Sequence, residues 1–250
     1  MRSLERSLLF FPSRYPEGDW HPGEFRFEDA EFHAADGVRL HGWYVPHPHS
    51  RAAVLFCHGN GGNITHRVEK LQAMHERVGA SVLIFDYRGY GKSQGLPDEP
   101  GILADARAAR AWLARREGLP KQQIVLMGES LGGAVAVDLA AKDGARALIL
   151  EGTFSSLREV AAWHFPWLPV RLLLRTRLDA ASQIGRYRGP LLQIHGDADT
   201  IVPYRLGRRL FEAANEPKQF LTLAGHDHND PLEPECFETI REFLERQSPL

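Results

Sequence analysis

At 250 residues with 43% hydrophobic side chains, the chain is long enough to bury one substantial core, and a single domain over 1–250 is expected. Its 30 basic and 32 acidic residues leave a formal net charge of −2. That balance gives no electrostatic reason to expect a nucleic acid or an anionic membrane as partner, and it suits a small neutral substrate.

In chain order, the first apolar patch, Leu8 to Phe11, is too short for a signal segment or a spanning helix, so the chain is expected to be cytoplasmic. From Phe25 to Val45 the pattern suggests two antiparallel strands around Asp36-Gly37, a dipeptide suited to the φ > 0 turns of hairpins. Short, nearly continuous apolar runs follow at Ala52–Cys57, Ser81–Phe85, Ile124–Met127, Ala145–Leu150 and Pro190–Ile194, as in strands buried on both faces of a parallel sheet. Segments of helical period lie between them, at His66–Val78, Ile102–Arg116 and Leu131–Ala141. Strands alternating with helices mean βαβ units, hence an α/β fold with helices on both faces of a mostly parallel sheet.

One stretch breaks this rhythm. Residues 153–188 carry Trp163, Phe165, Trp167, Leu168, Leu172, Leu173 and Leu174 with Pro166 and Pro169 among them. An apolar, proline-broken insertion at the ligand-binding edge of such a sheet suits a small cap, and a helix pair packed on the sheet is the plainer reading. The two cysteines, Cys57 and Cys236, are too few for a disulfide framework and lack zinc-ligand spacing, so both are expected to be reduced packing residues.

The strongest chemical signal is Gly128-Glu129-Ser130-Leu131-Gly132, between an apolar strand and a helical segment. In a G-x-S-x-G turn the serine adopts a strained backbone conformation that only small neighbours permit, and its Oγ stands clear at a helix N-terminus. Serine alone is a poor nucleophile, so a base must take its proton and a third group must orient the base. With the order serine, acid, histidine, the later chain offers His195-Gly196-Asp197-Ala198-Asp199 after one strand, and Gly225-His226-Asp227-His228-Asn229-Asp230 after the apolar pair Leu221 and Leu223. The acid candidates are Asp199, Asp197 and, at an earlier strand end, Glu151; the bases are His228 and His226. Backbone N–H groups must also hold the oxyanion. One is that of Leu131, after the nucleophile, and the other comes from the loop His58-Gly59-Asn60-Gly61-Gly62-Asn63.

With His58-Gly59-Asn60-Gly61, Asp86 to Ser93, the serine motif, His195 to Pro203 and His228-Asn229-Asp230 in this order, the chain resembles an α/β-hydrolase. Within that superfamily it is similar to the Bem46-like group that includes the α/β-hydrolase-domain proteins 13 and 17. The resemblance covers most of the chain from about Phe32. It implies the α/β-hydrolase fold and selects Asp199 through His-Gly-x-x-Asp, His228 through His-Asn-Asp, and Asn60 as the second oxyanion donor. Asp197 is then a turn residue capping its own loop, His58 and His195 are strand-end residues satisfying backbone groups, and Asp86 to Ser93 needs no chemistry. Many members of the group begin with a membrane-spanning helix. None is expected here, which leaves peripheral association open.

The implied function is that of a serine hydrolase cleaving carboxylic esters through an acyl-enzyme, with no metal and no cofactor. Two alternatives stand beside it. One is a thioesterase or lipid acyl hydrolase using the same triad, with Trp163 to Leu174 lining an acyl pocket. The other is a non-catalytic hydrolase-fold binding protein. Oligomeric state is not legible in the sequence.

Overall fold

The computed structural model describes residues 2–170 and 174–247. Its centre is an eight-stranded sheet: β1 (Glu28–His33), β2 (Arg39–Val45), β3 (Ala52–Cys57), β4 (Ala80–Phe85), β5 (Val125–Glu129), β6 (Leu148–Glu151), β7 (Leu191–Gly196) and β8 (Lys218–Leu223). The spatial order is β8-β7-β6-β5-β3-β4-β2-β1. β1 pairs antiparallel with β2, and β2 antiparallel with β4; every other pairing in the sheet is parallel. The expected hairpin is present, turning through Gly37 at φ 84°, and the strand order reverses around β3, where such sheets place ligands at the strand C-termini.

Strand alternation divides the core into two layers. On β3, Ala53, Leu55 and Cys57 face one layer and Val54 and Phe56 the other, which is why these runs read as continuously apolar. The first layer is covered by α3 (Glu99–Glu117) and α4 (Leu131–Asp143), with α6 (Ala180–Ile184) and α7 (Tyr204–Ala213) beyond them. The second is covered by α2 (Val68–Ala73), its π-helical continuation Met74–Val78, and α8 (Pro234–Arg246). Asp98 caps α3 by accepting the Gly101 N–H, which starts the helix three residues before the apolar period suggests. Both cysteines are free and buried, as expected, and burial pushes the Cys57 thiol up to about 12.

Between β6 and β7 lie α5 (Leu157–His164), capped by Ser156, and the short α6, capped by Asp179. Trp163, Phe165, Trp167 and Leu168 are exposed, whereas an acyl-pocket lining would be buried. Leu172 and Leu173 lie outside the described residues. At the other end of the chain, α1 (Arg2–Leu9) leads into Phe11–Pro12, which pairs in parallel with Gly61–Gly62. Among the described residues, no helix is long and apolar enough to cross a membrane.

Candidate active site

Ser130 sits in the single step between β5 and α4 with φ 51° and ψ −113°. Among the described residues only Leu178 shares a positive φ without being glycine. Such a backbone costs about 1–3 kcal/mol and persists only where its surroundings over-determine it. The Ser130 N–H donates to the Glu151 carbonyl at the end of β6 (2.8 Å), and the Ser130 carbonyl accepts from the Gly133 N–H (3.0 Å). A Cβ on Gly128 would run into the Gly132 carbonyl, and one on Gly132 into the Cys57 carbonyl at the end of β3. The flanking glycines therefore allow the turn to fold against itself and against the neighbouring strand.

The loop after β7 buries Asp199. Its Oδ1 accepts the N–H groups of Ile201 (2.9 Å) and Val202 (2.6 Å), and its Oδ2 lies 2.7 Å from His228 Nδ1 and 3.2 Å from His195 Nε2. Burial alone would push this carboxyl up. Hydrogen bonds from His195 and His228, the charge of His228 and the Val202 N–H outweigh it and hold the group well below the usual carboxylate range. With Nδ1 of His228 held by the Asp199 carboxylate, Nε2 is the ring nitrogen left to meet other partners.

Gly152, one residue past Glu151, has φ 54°, and a Cβ there would come within 3.1 Å of His228 Cε1. The imidazole thus stands over the strand end whose carbonyl holds the Ser130 N–H. Asp199 and His228 are in contact, and the ring lies beside the serine turn, but Ser130 Oγ has no hydrogen-bond partner among the described residues. A catalytic hydroxyl and its base are often apart before a substrate is bound and tighten only in the complex.

The rival residues have other partners. Asp197 accepts the Gly225 N–H (2.6 Å), so it caps the neighbouring loop rather than its own. Glu151 pairs with Lys70 (2.7 Å). His226 Nε2 faces Glu233 Oε1 at 3.6 Å. His195 does meet a backbone group, the Val202 carbonyl (2.9 Å), and it also reaches Asp199. That second contact has a sequence signal in the i, i+4 spacing of the two residues. Asp227 is a further residue that motif reasoning passed over. Its carboxylate accepts from the Thr200 N–H (2.7 Å), the Thr200 hydroxyl and the His228 N–H (2.7 Å), which ties the Asp199 loop to the His228 loop.

Leu131 opens α4, where helical N–H groups have no intrahelical partner. Asn60 is fixed by its side chain: Oδ1 accepts from the Tyr90 hydroxyl (2.9 Å) and Nδ2 donates to the Leu9 carbonyl (2.7 Å). The N-terminal arm therefore braces this loop. Beside it, burial lowers the His58 imidazole to about 3 and raises the Asp86 carboxyl to about 8.

Behind the serine turn lies a charged cluster. Glu129 bonds Arg67 and Lys70 (both 2.9 Å), and Lys70 also bonds Glu151. Burial would raise the Glu129 carboxyl, but Lys70 and Arg67 carry it well below the usual range. A cavity of about 400 Å³, lined by Arg67, Lys70, Glu129, Glu151, His228 and Phe237 among others, opens on this side. No group of three His, Cys, Asp or Glu side chains among the described residues is placed to hold a metal ion.

Comparison with known proteins agrees with this architecture. A family model described as the alpha/beta hydrolase fold matches residues 52–178. An uncharacterised protein of Mycobacterium tuberculosis is 45% identical over 231 residues, covering 92% of this chain and 82% of its own length. The bem46 protein of Schizosaccharomyces pombe is 34% identical over 256 residues, covering 96% of this chain and 85% of its own. Among solved structures, an esterase from Pyrococcus furiosus matches with a TM-score of 0.77 over 94% of this chain and 98% of that one; at 22% identity the likeness is one of fold.

Proposed function

The chain belongs to the α/β-hydrolase family, in its Bem46-like group, and from that premise we propose that it is a serine hydrolase cleaving carboxylic esters. The observation that carries the reading is a strained serine at a strand-to-helix turn beside an imidazole whose Nδ1 is bonded to a buried, ionised Asp199.

In the proposed reaction Ser130 Oγ attacks the ester carbonyl carbon as its proton passes to His228 Nε2. The N–H groups of Leu131 and Asn60 hold the tetrahedral oxyanion. On collapse the carbon–oxygen bond to the alcohol breaks, and His228 returns the proton to the departing oxygen. A water molecule, deprotonated by the same Nε2, then attacks the acyl-enzyme, and the acid leaves with Ser130 regenerated. Asp199 keeps Nδ1 protonated and stabilises the imidazolium while remaining ionised itself, which suits its depressed pKa. The 153–188 segment serves as a small cap. Because Trp163, Phe165, Trp167 and Leu168 are exposed, they give a long acyl chain no buried lining, and short acyl esters are the substrates this reading favours.

The test is Ser130→Ala in the purified protein. Hydrolysis of a short p-nitrophenyl ester should fall to background and fluorophosphonate labelling should disappear. Undiminished turnover would remove Ser130 from the chemistry, and folded wild-type protein that neither hydrolyses nor labels would establish the non-catalytic reading instead.

A further inference from the structure

Residues 163–169, Trp-His-Phe-Pro-Trp-Leu-Pro, are seven consecutive exposed positions without an acid, lysine or arginine, in a chain that is 25% charged. Trp167 is 74% exposed and Trp163 49%. The Phe165 and Trp167 rings meet edge to face with centroids 5.8 Å apart, so the patch is ordered by its own contacts. It is also continuous with the catalytic loop. His164 Nε2 bonds the Ile201 carbonyl (2.8 Å), and exposed Ile201 lies two residues from Asp199. Soluble surfaces seldom leave such a group of large side chains uncovered without a use for it.

The overall charge conceals what surrounds this patch. Helix α7 contains Arg205, Arg208 and Arg209 with one glutamate, although the whole chain is net negative. Glu159 of α5 is neutralised by Arg209. The Arg205 guanidinium lies 4.3 Å over the Trp163 ring, and Arg205 and Arg209 line one open groove with Trp163 and Pro166. Aromatic rings beside arginines suit the headgroup level of a bilayer, where the rings take the apolar boundary and the cations meet lipid phosphates.

We propose that the 163–169 face docks on an anionic lipid surface, with Trp163, Phe165 and Trp167 as the inserting groups and Arg205, stacked on Trp163, as the cation at the rim. Docking there sets the loop bearing Asp199 close to the membrane, through the His164 bond to the Ile201 carbonyl. The inference concerns binding and stands whether or not the ester-hydrolase reading holds.

The test is co-sedimentation of the full chain with phosphatidylcholine vesicles, with and without phosphatidylglycerol as the anionic lipid, alongside tryptophan emission. Binding to the anionic vesicles with a blue shift, about fivefold stronger than to neutral vesicles and weakened by salt, is expected. Phe165→Ser/Trp167→Ser should lose most of it at unchanged circular dichroism, and Arg205→Gln should lower the anionic preference while leaving folding intact. Absence of vesicle binding by the folded wild type overturns the proposal. So does concentration-dependent self-association abolished by the Ser variant without vesicle binding, since a second copy would then be the occupant.

Discussion

Replacing Ser130 by glycine should stabilise the protein while abolishing its activity. The strain belongs to a backbone at φ 51°, ψ −113° that carries a Cβ, and its cost is about 1–3 kcal/mol. Glycine adopts that conformation without penalty but adds roughly 0.4–1 kcal/mol of unfolded-state entropy, so the net gain centres near 1 kcal/mol. Ser130→Ala keeps the Cβ and with it the strain. Ser130 Oγ has no protein partner among the described residues, so neither variant loses a side-chain hydrogen bond, and both retain the bonds to Glu151 and Gly133. For a chain of this length 1 kcal/mol corresponds to about 2–4 °C in Tm. Paired melting curves, by calorimetry or fluorescence, should therefore place Ser130→Gly about 2–4 °C above Ser130→Ala, with both inactive. A glycine variant melting at or below the alanine variant would show that the turn stores no strain through its side chain. Leu178, the other non-glycine residue at positive φ, offers no such test, because glycine there also deletes a buried side chain.

Three further outcomes follow from the surroundings of the serine. Lys70→Met leaves Glu151 without its cation and Glu129 with Arg67 alone. Breaking a fully buried pair costs about 3–5 kcal/mol; with these side chains 12–20% exposed and Arg67 still in place, the loss falls below that range, and urea unfolding should show it, with partial recovery in Lys70→Met/Glu151→Gln. Asp86, raised to about 8 by burial, contributes stability that is full below its ordinary value near 4 and is lost as pH rises through 8. Asp86→Asn should accordingly flatten the decline of Tm between about pH 4 and pH 8, and an unchanged slope would refute the assignment. Asp227→Ala should lower kcat about 10–100-fold at nearly constant KM, through loosening of the Asp199 and His228 loops. Asp227→Asn, which keeps an acceptor for Thr200 and His228, should recover part of it.

The central strands and the serine turn were legible because both depend on local pattern. Apolar runs report burial on two faces directly, and Gly128, Ser130 and Gly132 meet a steric demand set within five residues. The α8 pattern, Cys236, Phe237, Ile240, Phe243 and Leu244, was equally available, although the motif-led reading passed over it. In α7 the three arginines obscured the buried Leu206 and Leu210. The N-terminal arm was not legible. Its anchors are Asn60 to Leu9, Asn63 to Ser13 and Glu17, and the Tyr15 N–H to Gly91, bonds spanning 46 to 76 residues that leave no local period. Between Trp163 and Leu168 composition gave the apolar character correctly, but nothing in a run of that length says which side of it meets solvent.

The serine turn is pinned from both faces of the sheet, and this explains how a strained residue can be held at the end of a strand. On the α4 side, glycine contacts bring the turn against the Cys57 carbonyl of β3. On the α2 side, the neighbouring Glu129 is bonded to Arg67 and Lys70, and Lys70 extends the same cluster to Glu151, whose carbonyl takes the Ser130 N–H. A relaxed backbone at residue 130 would have to give up the bond to the Glu151 carbonyl or move Gly132 off the Cys57 carbonyl, which is how the surroundings keep the strained conformation in place. Lys70 lies outside the proposed proton path, yet its removal loosens two of the strands that frame the turn. Its variant should therefore lower the rate of fluorophosphonate labelling at Ser130 as well as stability, whereas an equally destabilising truncation in the distant β1–β2 hairpin should leave labelling of the folded protein unchanged.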